Sequence, residues 1–116
     1  MTARRTRTPR PGRPVRGSTT GRPVMALLDL LGRRWALRLI YELHGESPLG
    51  FGELQARAAG ISPSVLAQRL RELVDAGLVA VVADGRYAPG PDEAELARIL
   101  MSLDAWAKRW ARRSGA

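Results

Sequence analysis

The residues best suited to chemistry lie between Ser62 and Val79, in the segment SPSVLAQRLRELVDAGLV. Ser62 is a favourable N-cap and Pro63 suits the first helical position, while a glycine at position 77 suits the C′ position of a helix end. These signals predict a helix of about 14 residues. At about 100° per residue, its apolar and polar side chains separate onto opposite faces. The apolar face holds Leu66, Leu70, Leu73 and Val74, and the polar face holds Ser64, Gln68, Arg71 and Asp75.

The polar face carries the side-chain types that hydrogen-bond base edges and phosphates in a DNA major groove. Gln68 can pair with an adenine edge, and Arg71 with guanine or a phosphate. Ser62 and Ser64 lie at the positive end of the helix, where N–H groups and hydroxyls can hold a phosphate oxygen. Plain N-capping explains Ser62 equally well. Arg69 flanks the apolar face, where both a phosphate contact and an internal ion pair with Glu72 or Glu53 stay open.

The composition argues against catalysis. The 116 residues have room for one small domain, and they include no cysteine and a single histidine, His44. Disulfides, thiolate zinc sites and cysteine nucleophiles are therefore excluded, and one imidazole builds neither a metal site nor an evident Ser-His-Asp triad. We expect no enzyme activity, no metal and no cofactor. His44, near a predicted helix end, is interpreted as a surface or capping residue rather than a pH switch.

The formal charge of +8 is concentrated in the first 22 residues, which contain seven arginines and no acid. The remaining 94 residues carry 12 basic and 11 acidic side chains. Residues 1–22 are also rich in Pro, Gly, Thr and Ser, so we predict a disordered basic tail. Such an arm neutralises phosphates without reading sequence, although it can also be a solubilising extension. The tail arginines proposed to contact DNA non-specifically are Arg4, Arg5, Arg7, Arg10, Arg13 and Arg16.

The first apolar run, Val24 to Leu31, is interrupted by Asp29. It is too short for a membrane span or for the core of a signal peptide. We therefore expect no membrane association and a cytoplasmic location.

Three short helices are predicted before the polar-faced helix, over Val24–Leu31, Trp35–His44 and Phe51–Ala58. A turn over 60–62 then leads into it, which is the helix-turn-helix pattern. The valine-rich segment 78–83, the dipeptide Asp84-Gly85 and the strand beginning at Arg86 predict a hairpin with a two-residue turn. This hairpin is a short wing, with Arg86 at its tip for a minor-groove or phosphate contact. A solvated turn residue is the alternative for Arg86.

A long helix is predicted from Asp92 to about Arg113, with acidic residues in its first turn and basic residues in its last. Its apolar residues recur in steps of three and four, and a domain this small covers such a stripe only in part. The same helix of a second copy is the expected partner, although a purely intramolecular core role is the alternative. The candidate dimer residues on this helix are Leu96, Ile99, Leu100, Leu103, Trp106 and Trp110.

The chain resembles the HxlR family of bacterial winged helix-turn-helix regulators. The resemblance covers roughly residues 22–110 and rests on GRPVMALLDLLGRRWALRLIYEL, FGELQ and GISPSVLAQRLRELVDAGLV, in that order. It implies a homodimer whose first and last helices form the dimer contact, which adds Val24, Leu27 and Leu28 to the interface. It also implies that the helix beginning near Ser62 and the wing touch an operator.

Two features depart from the family pattern. Many relatives have a cysteine just before the Pro-Val pair of the first helix, where this chain has Arg22, so thiol sensing is excluded. The wing, with about two residues between its strands, is shorter than is usual in the family, so less minor-groove contact is expected. Arg86 carries the wing contact that remains.

The sequence therefore predicts an α+β, mostly α, winged helix-turn-helix domain over residues 23–113, with a two-stranded wing and a C-terminal dimerisation helix. The predicted function is a sequence-specific double-stranded DNA-binding transcriptional regulator, a repressor that acts as a homodimer on an inverted repeat. The alternative is a winged-helix protein-interaction module with a solubilising basic tail, which the nearly neutral folded part favours. A small-molecule effector also stays open, because Trp35, Tyr41, Trp106 and Trp110 can line an apolar pocket or belong to the core.

Overall fold

A computed structural model describes residues 8, 11 and 22–115. Within residues 22–115 the order is α1 (Pro23–Leu31), α2 (Ala36–Gly45), α3 (Phe51–Arg57), α4 (Pro63–Asp75), β1 (Val79–Val81), β2 (Tyr87–Pro89) and α5 (Glu93–Arg113). Strands β1 and β2 form a two-stranded antiparallel sheet. This is the predicted winged helix-turn-helix architecture. The six tail arginines, and residues 1–7, 9–10 and 12–21 of the tail predicted to be disordered, lie outside the described residues.

Helix α4 begins and ends where its sequence signals place it. The Ser62 side chain accepts a hydrogen bond from the backbone N–H of Val65, and Pro63 occupies the first turn. Such a cap stabilises a helix by about 1 kcal/mol. At the other end Ala76 is the C-cap, and Gly77 adopts a positive φ of 80°. The predicted apolar face is confirmed, because Leu66, Leu70 and Leu73 are fully buried and Val74 packs beside them.

The other predicted helices are confirmed with shifts of one residue at their ends. Trp35 precedes α2 instead of opening it, with a left-handed φ of 77° that a bulky residue rarely adopts. Gly45, which was expected to end this helix, is its last residue, and Glu46 is the cap. Helix α3 ends at Arg57, and Ala58 turns inward into the core.

The wing differs from the prediction in its turn. The N–H of Val82 donates to the carbonyl of Arg86 at 2.8 Å, and Gly85 N–H donates back to Val82 at 2.9 Å. Three residues, Ala83 to Gly85, therefore form the loop, and the predicted two-residue Asp84-Gly85 turn was wrong. A three-residue loop built on a tight turn followed by a left-handed glycine is a common hairpin connection, and here Gly85 has a φ of 82°. Arg86 is consequently at the base of this loop rather than at its tip.

The wing is attached to the helical body at two places. Leu49 exchanges both backbone hydrogen bonds with Tyr87, at 2.9 and 2.8 Å, which extends the sheet towards α3. At the end of β2, Gly90 passes so close to the turn after α4 that an added Cβ would overlap the carbonyl of Gly77. The N–H of Gly90 donates to Leu78 at that crossing. These contacts fix the wing relative to α4.

Helix α5 has two unlike halves. Glu93, Ala97 and Leu100 in its first two turns are buried, and Leu96 packs against the same core. From residue 101 onwards every residue of the helix is exposed except two half-buried alanines. In residues 22–115, no helix is long and apolar enough to cross a membrane.

Candidate nucleic-acid interface

The outer face of α4 is polar and accessible at both ends. Ser62, Ser64, Arg71 and Asp75 are exposed, whereas Gln68 in the middle is half-buried. Ser62 acts as the N-cap, and its hydroxyl lies 3.4 Å from that of Ser64. Two hydroxyls at a helix N-terminus, together with the N–H groups left without helical acceptors, form an environment suited to a phosphate oxygen.

Arg69 and Gln68, which were predicted to contact DNA, donate side-chain hydrogen bonds within the protein. Arg69 donates from Nε to the carbonyl of Arg34 at 2.8 Å and from Nη1 to Glu72 Oε1 at 3.2 Å. Of the alternatives that the sequence left open for Arg69, the structure displays the internal ion pair with Glu72. Gln68 donates from Nε2 to Glu72 Oε2 at 3.5 Å, a long hydrogen bond that leaves its amide oxygen for other partners.

A groove separates α4 from the wing on the side where Arg71 lies. Its volume is about 490 Å³, and Arg71 and Asp75 contribute its charged side chains. The rest of its lining is mostly apolar and consists of Phe51, Ala67, Leu70, Val74, Val81 and Tyr87. The structure thus brings the end of α4, the start of α3 and the wing onto one surface.

Arg86 is joined to its neighbour on the wing. Its Nε donates to Asp84 Oδ2 at 2.7 Å, and its backbone N–H contacts the same carboxylate. Slight desolvation would raise the pKa of Asp84, but the hydrogen bonds from Arg86 outweigh it, so the pKa lies below its usual range. Both side chains are about half exposed, so the pair is a weak, solvent-screened contact that a phosphate can displace.

The structure also reveals a buried charge pair that the sequence did not indicate. Arg33, in the turn between α1 and α2, donates to Glu72 of α4 at 2.6 Å, and their side chains are only 7% and 5% exposed. Both had the appearance of surface charges, and 39 positions separate them in sequence. Only the pattern of two arginines before Trp35 hints that this turn has a fixed partner.

The proposed dimer residues fall into two groups. Leu100 is only 6% exposed and Leu96 and Leu27 pack against the same core, so this chain already covers them. Six remain exposed: Val24, Leu28, Ile99, Leu103, Trp106 and Trp110. The indole rings of Trp106 and Trp110 stack with their centroids 6.3 Å apart, and the Arg113 guanidinium lies over Trp106. We call these six residues, with Leu96 and Leu27 at the edge, the apolar face.

The sequence pattern of the HxlR-like helix-turn-helix family matches residues 30–115, which include α2 to α5. The chain belongs to this family. Its members are transcriptional regulators that bind DNA through a helix-turn-helix, which here is α3, the turn at Gly60 and α4. Over 57 residues the chain is also 35% identical to YdzF of Bacillus subtilis, an uncharacterised HTH-type transcriptional regulator. That match spans 49% of this chain and 52% of YdzF.

Solved structures agree with the family assignment. Quinone-bound YodB from B. subtilis superposes with a TM-score of 0.69 at 28% identity, over 74% of this chain and 94% of YodB. A candidate HxlR-family transcription factor from Thermoplasma volcanium gives a TM-score of 0.63 at 27% identity, over 74% and 82% of the two chains. The predicted family and fold are thereby confirmed. Among the described residues there is no cluster of side chains suited to a metal ion.

Proposed function

We propose that this protein is a homodimeric transcriptional repressor that reads an inverted-repeat operator with α4 and the wing of each subunit. The observation that carries the proposal is the shared surface on which the exposed Arg71 and the wing flank one groove. A helix with a hairpin beside it on one surface is compatible with a helix in a major groove and a hairpin against the adjoining backbone. Membership of the HxlR-like family supports DNA binding in general, and the role of each residue is our own proposal.

In the proposed complex, the three parts of this surface have separate tasks. Ser62 and Ser64 hold a phosphate at the N-terminus of α4 and set its register. Arg71 and Gln68 reach base edges, and the Gln68 Nε2 also lies 3.5 Å from Glu72 Oε2. Arg86 leaves Asp84 for a phosphate beside the wing. Arg69 is assigned a supporting role, since its guanidinium is held by Arg34 and Glu72.

The dimer is proposed from the apolar face. Ile99, Leu103, Trp106 and Trp110 follow one side of α5 at steps of four, three and four, and each is about half exposed or more. Isolated exposed apolar residues are ordinary, but a continuous stripe with two stacked indoles is typical of an interface core. A twofold axis along this stripe would place two α4 helices against successive half-sites.

The basic tail is proposed to add affinity without specificity. A chain that begins at Arg22 should bind every duplex more weakly than the full chain, and its binding should depend less steeply on salt. Each lost phosphate contact lowers the slope of log affinity against log salt by about 0.9. An unchanged slope would make the tail a solubilising extension.

An effector site is a further part of the proposal, suggested by the quinone bound to YodB. Of the four aromatic residues predicted to line such a site, Trp106 and Trp110 stack on α5, whereas Trp35 packs against the core beside Gly60. None of the four lines the groove beside α4. A site formed by Trp106 and Trp110 would therefore lie at the dimer contact, without the thiol chemistry that Arg22 excludes here.

The test is a selection from a random pool of DNA duplexes at near-physiological salt, performed with residues 22–116 so that the tail does not dominate. We expect enrichment of an inverted repeat with half-sites about one helical turn apart. Retention without enrichment would instead indicate an architectural binder. No retention would favour the protein-interaction module, which the near balance of charge outside residues 1–22 supports.

A further inference from the structure

Three side chains from two segments of the chain converge on the side chain of Glu72. Arg33 reaches it from the turn between α1 and α2 at 2.6 Å, and Arg69 and Gln68 reach it from α4 itself. On the α1 side, Arg33 also lies 3.6 Å from Asp29, and both of those side chains are 7% exposed. The result is a continuous run of buried charge from α1, through the turn, to α4.

Two further residues of the same turn, Arg34 and Trp35, contact α4 or the residues that lead into it. The carbonyl of Arg34 accepts the hydrogen bond from Arg69, and the Arg34 guanidinium lies 5.5 Å from the Trp35 ring centroid. Trp35 in turn packs against Gly60, at the entry to α4, where its ring lies 3.7 Å from the position of an added Cβ. The left-handed φ of Trp35 is unfavourable by itself and persists only where the surroundings enforce it. The conformation of the α1–α2 turn is therefore fixed by its contacts with α4 and with Gly60.

We propose that Glu72 is the positioning residue through which the α1–α2 turn fixes the orientation of α4 relative to α1. The proposal rests on the proposed function in one respect: if α1 lies at the dimer contact and α4 in the major groove, this orientation sets the half-site spacing that a dimer accepts. Replacing a buried ion pair by apolar side chains of similar volume is often neutral for stability, so such polar contacts are better explained by geometry than by energy. Glu72 contacts no base in this scheme and acts through Gln68, Arg69 and Arg33.

The decisive variant is the pair Arg33→Met with Glu72→Met in the full chain, which removes both charges and keeps the volume. The matched control is Arg38→Met with Glu42→Met, a pair on α2 whose side chains are 51% and 21% exposed and 2.8 Å apart. Because the sequence contains no cysteine, Val24→Cys on α1 and Ser64→Cys on α4 can be spin-labelled uniquely. Dilution with unlabelled chain restricts the measured distance to a single subunit.

We expect the distance distribution between the labels to broaden or shift in the Arg33/Glu72 variant and to stay unchanged in the control. An unchanged distribution in the variant would overturn the proposal, whatever the protein binds. This readout does not depend on DNA, so it separates failure of the inference from failure of the proposed function. If the double Met variant does not fold, Arg33→Lys provides the same test, because it keeps the charge but loses the planar guanidinium.

The second readout compares two duplexes: the repeat recovered by the wild-type chain, and the same repeat with its half-sites one base pair further apart. We expect the wild type and the control to prefer the first by about tenfold or more, and the Arg33/Glu72 variant to lose most of this preference. Loss of stability alone would weaken binding to both duplexes equally, so a preserved ratio would contradict the positioning role.

Discussion

Helix α4 and the second half of α5 are both amphipathic, but only α4 has its apolar side buried within its own chain. The apolar side of α4 is buried against the core, and its polar residues are tied to the α1–α2 turn through Glu72. The last three turns of α5 carry leucine and tryptophan side chains that no other part of the described chain covers. The polar side of α4 is accessible in the single chain, and the apolar side of the second half of α5 is exposed there.

The largest effect is expected for Leu103→Glu, which places a charge in the apolar face of α5. Leu103 is 58% exposed, so the charge leaves the fold intact but opposes burial of the apolar face. We expect the mass in light scattering to fall to that of a monomer. Affinity for an inverted repeat should fall by about 100-fold or more, because linked binding of two half-sites is lost.

Ala105→Glu is the matched control, since Ala105 is exposed on the opposite side of α5. It should leave the mass unchanged. A wild-type chain that is monomeric at micromolar concentration, or a Leu103→Glu chain that keeps its mass, would remove the dimer from the proposal.

On the α4 side, Arg71→Ala should weaken binding to the selected repeat by about 1–3 kcal/mol and relax the preference at one base position. Gln68→Ala should show the same kind of loss, because the Gln68 side chain is proposed to contact a base edge. Arg98→Ala, which removes an exposed arginine from α5, should change neither affinity nor preference. The comparison is by gel shift at fixed salt, and equal losses for Arg71 and Arg98 would show that only net charge matters.

The smallest effect is expected for a substitution of Glu93, the buried residue at the start of α5, and it concerns thermal stability. Burial raises the pKa of Glu93 above its ordinary value of 4.5, although His44, with its Nε2 2.8 Å away, acts to lower it. A raised pKa gives stability that is complete below about pH 4.5 and is lost as the pH rises through the folded-state value. Glu93→Gln should therefore melt a few degrees above the wild type near neutral pH.

The two melting curves should converge as the pH falls below the ordinary pKa of a glutamate. Glu95→Gln, in the same first turn but exposed, is the control for the loss of one carboxylate from the N-terminus of α5. If the difference in melting temperature between Glu93→Gln and the wild type does not change with pH, the raised pKa of Glu93 is contradicted.

Signals contained in a few neighbouring residues were read correctly from the sequence. Ser62, Pro63 and Gly77 determine both ends of α4 through local backbone chemistry, and the spacing of its leucines determines which face is buried. The predicted residue roles at the DNA surface and at the dimer contact remain predictions.

Features that depend on distant contacts were missed. Glu72 lies on the helix surface by spacing alone, and only the approach of Arg33 from another segment makes it a buried partner. Leu100 is indistinguishable by spacing from Leu103, yet one faces the core of its own chain and the other is exposed. One local signal was also misread: the hydrogen bond between Val82 and Arg86 leaves three residues in the wing loop, where Asp84-Gly85 predicted two.

Gly90 packs directly against the backbone of Gly77. This contact fixes where the chain leaves β2, so the position of α5 does not depend on the wing loop. Since not even one carbon atom fits there, the chain must leave the hairpin at the same point whatever its loop contains. Residues inserted between Ala83 and Gly85 would extend into solvent without displacing α5. The length of the wing loop can therefore change without moving α5, whereas a side chain at Gly90 would overlap the carbonyl of Gly77.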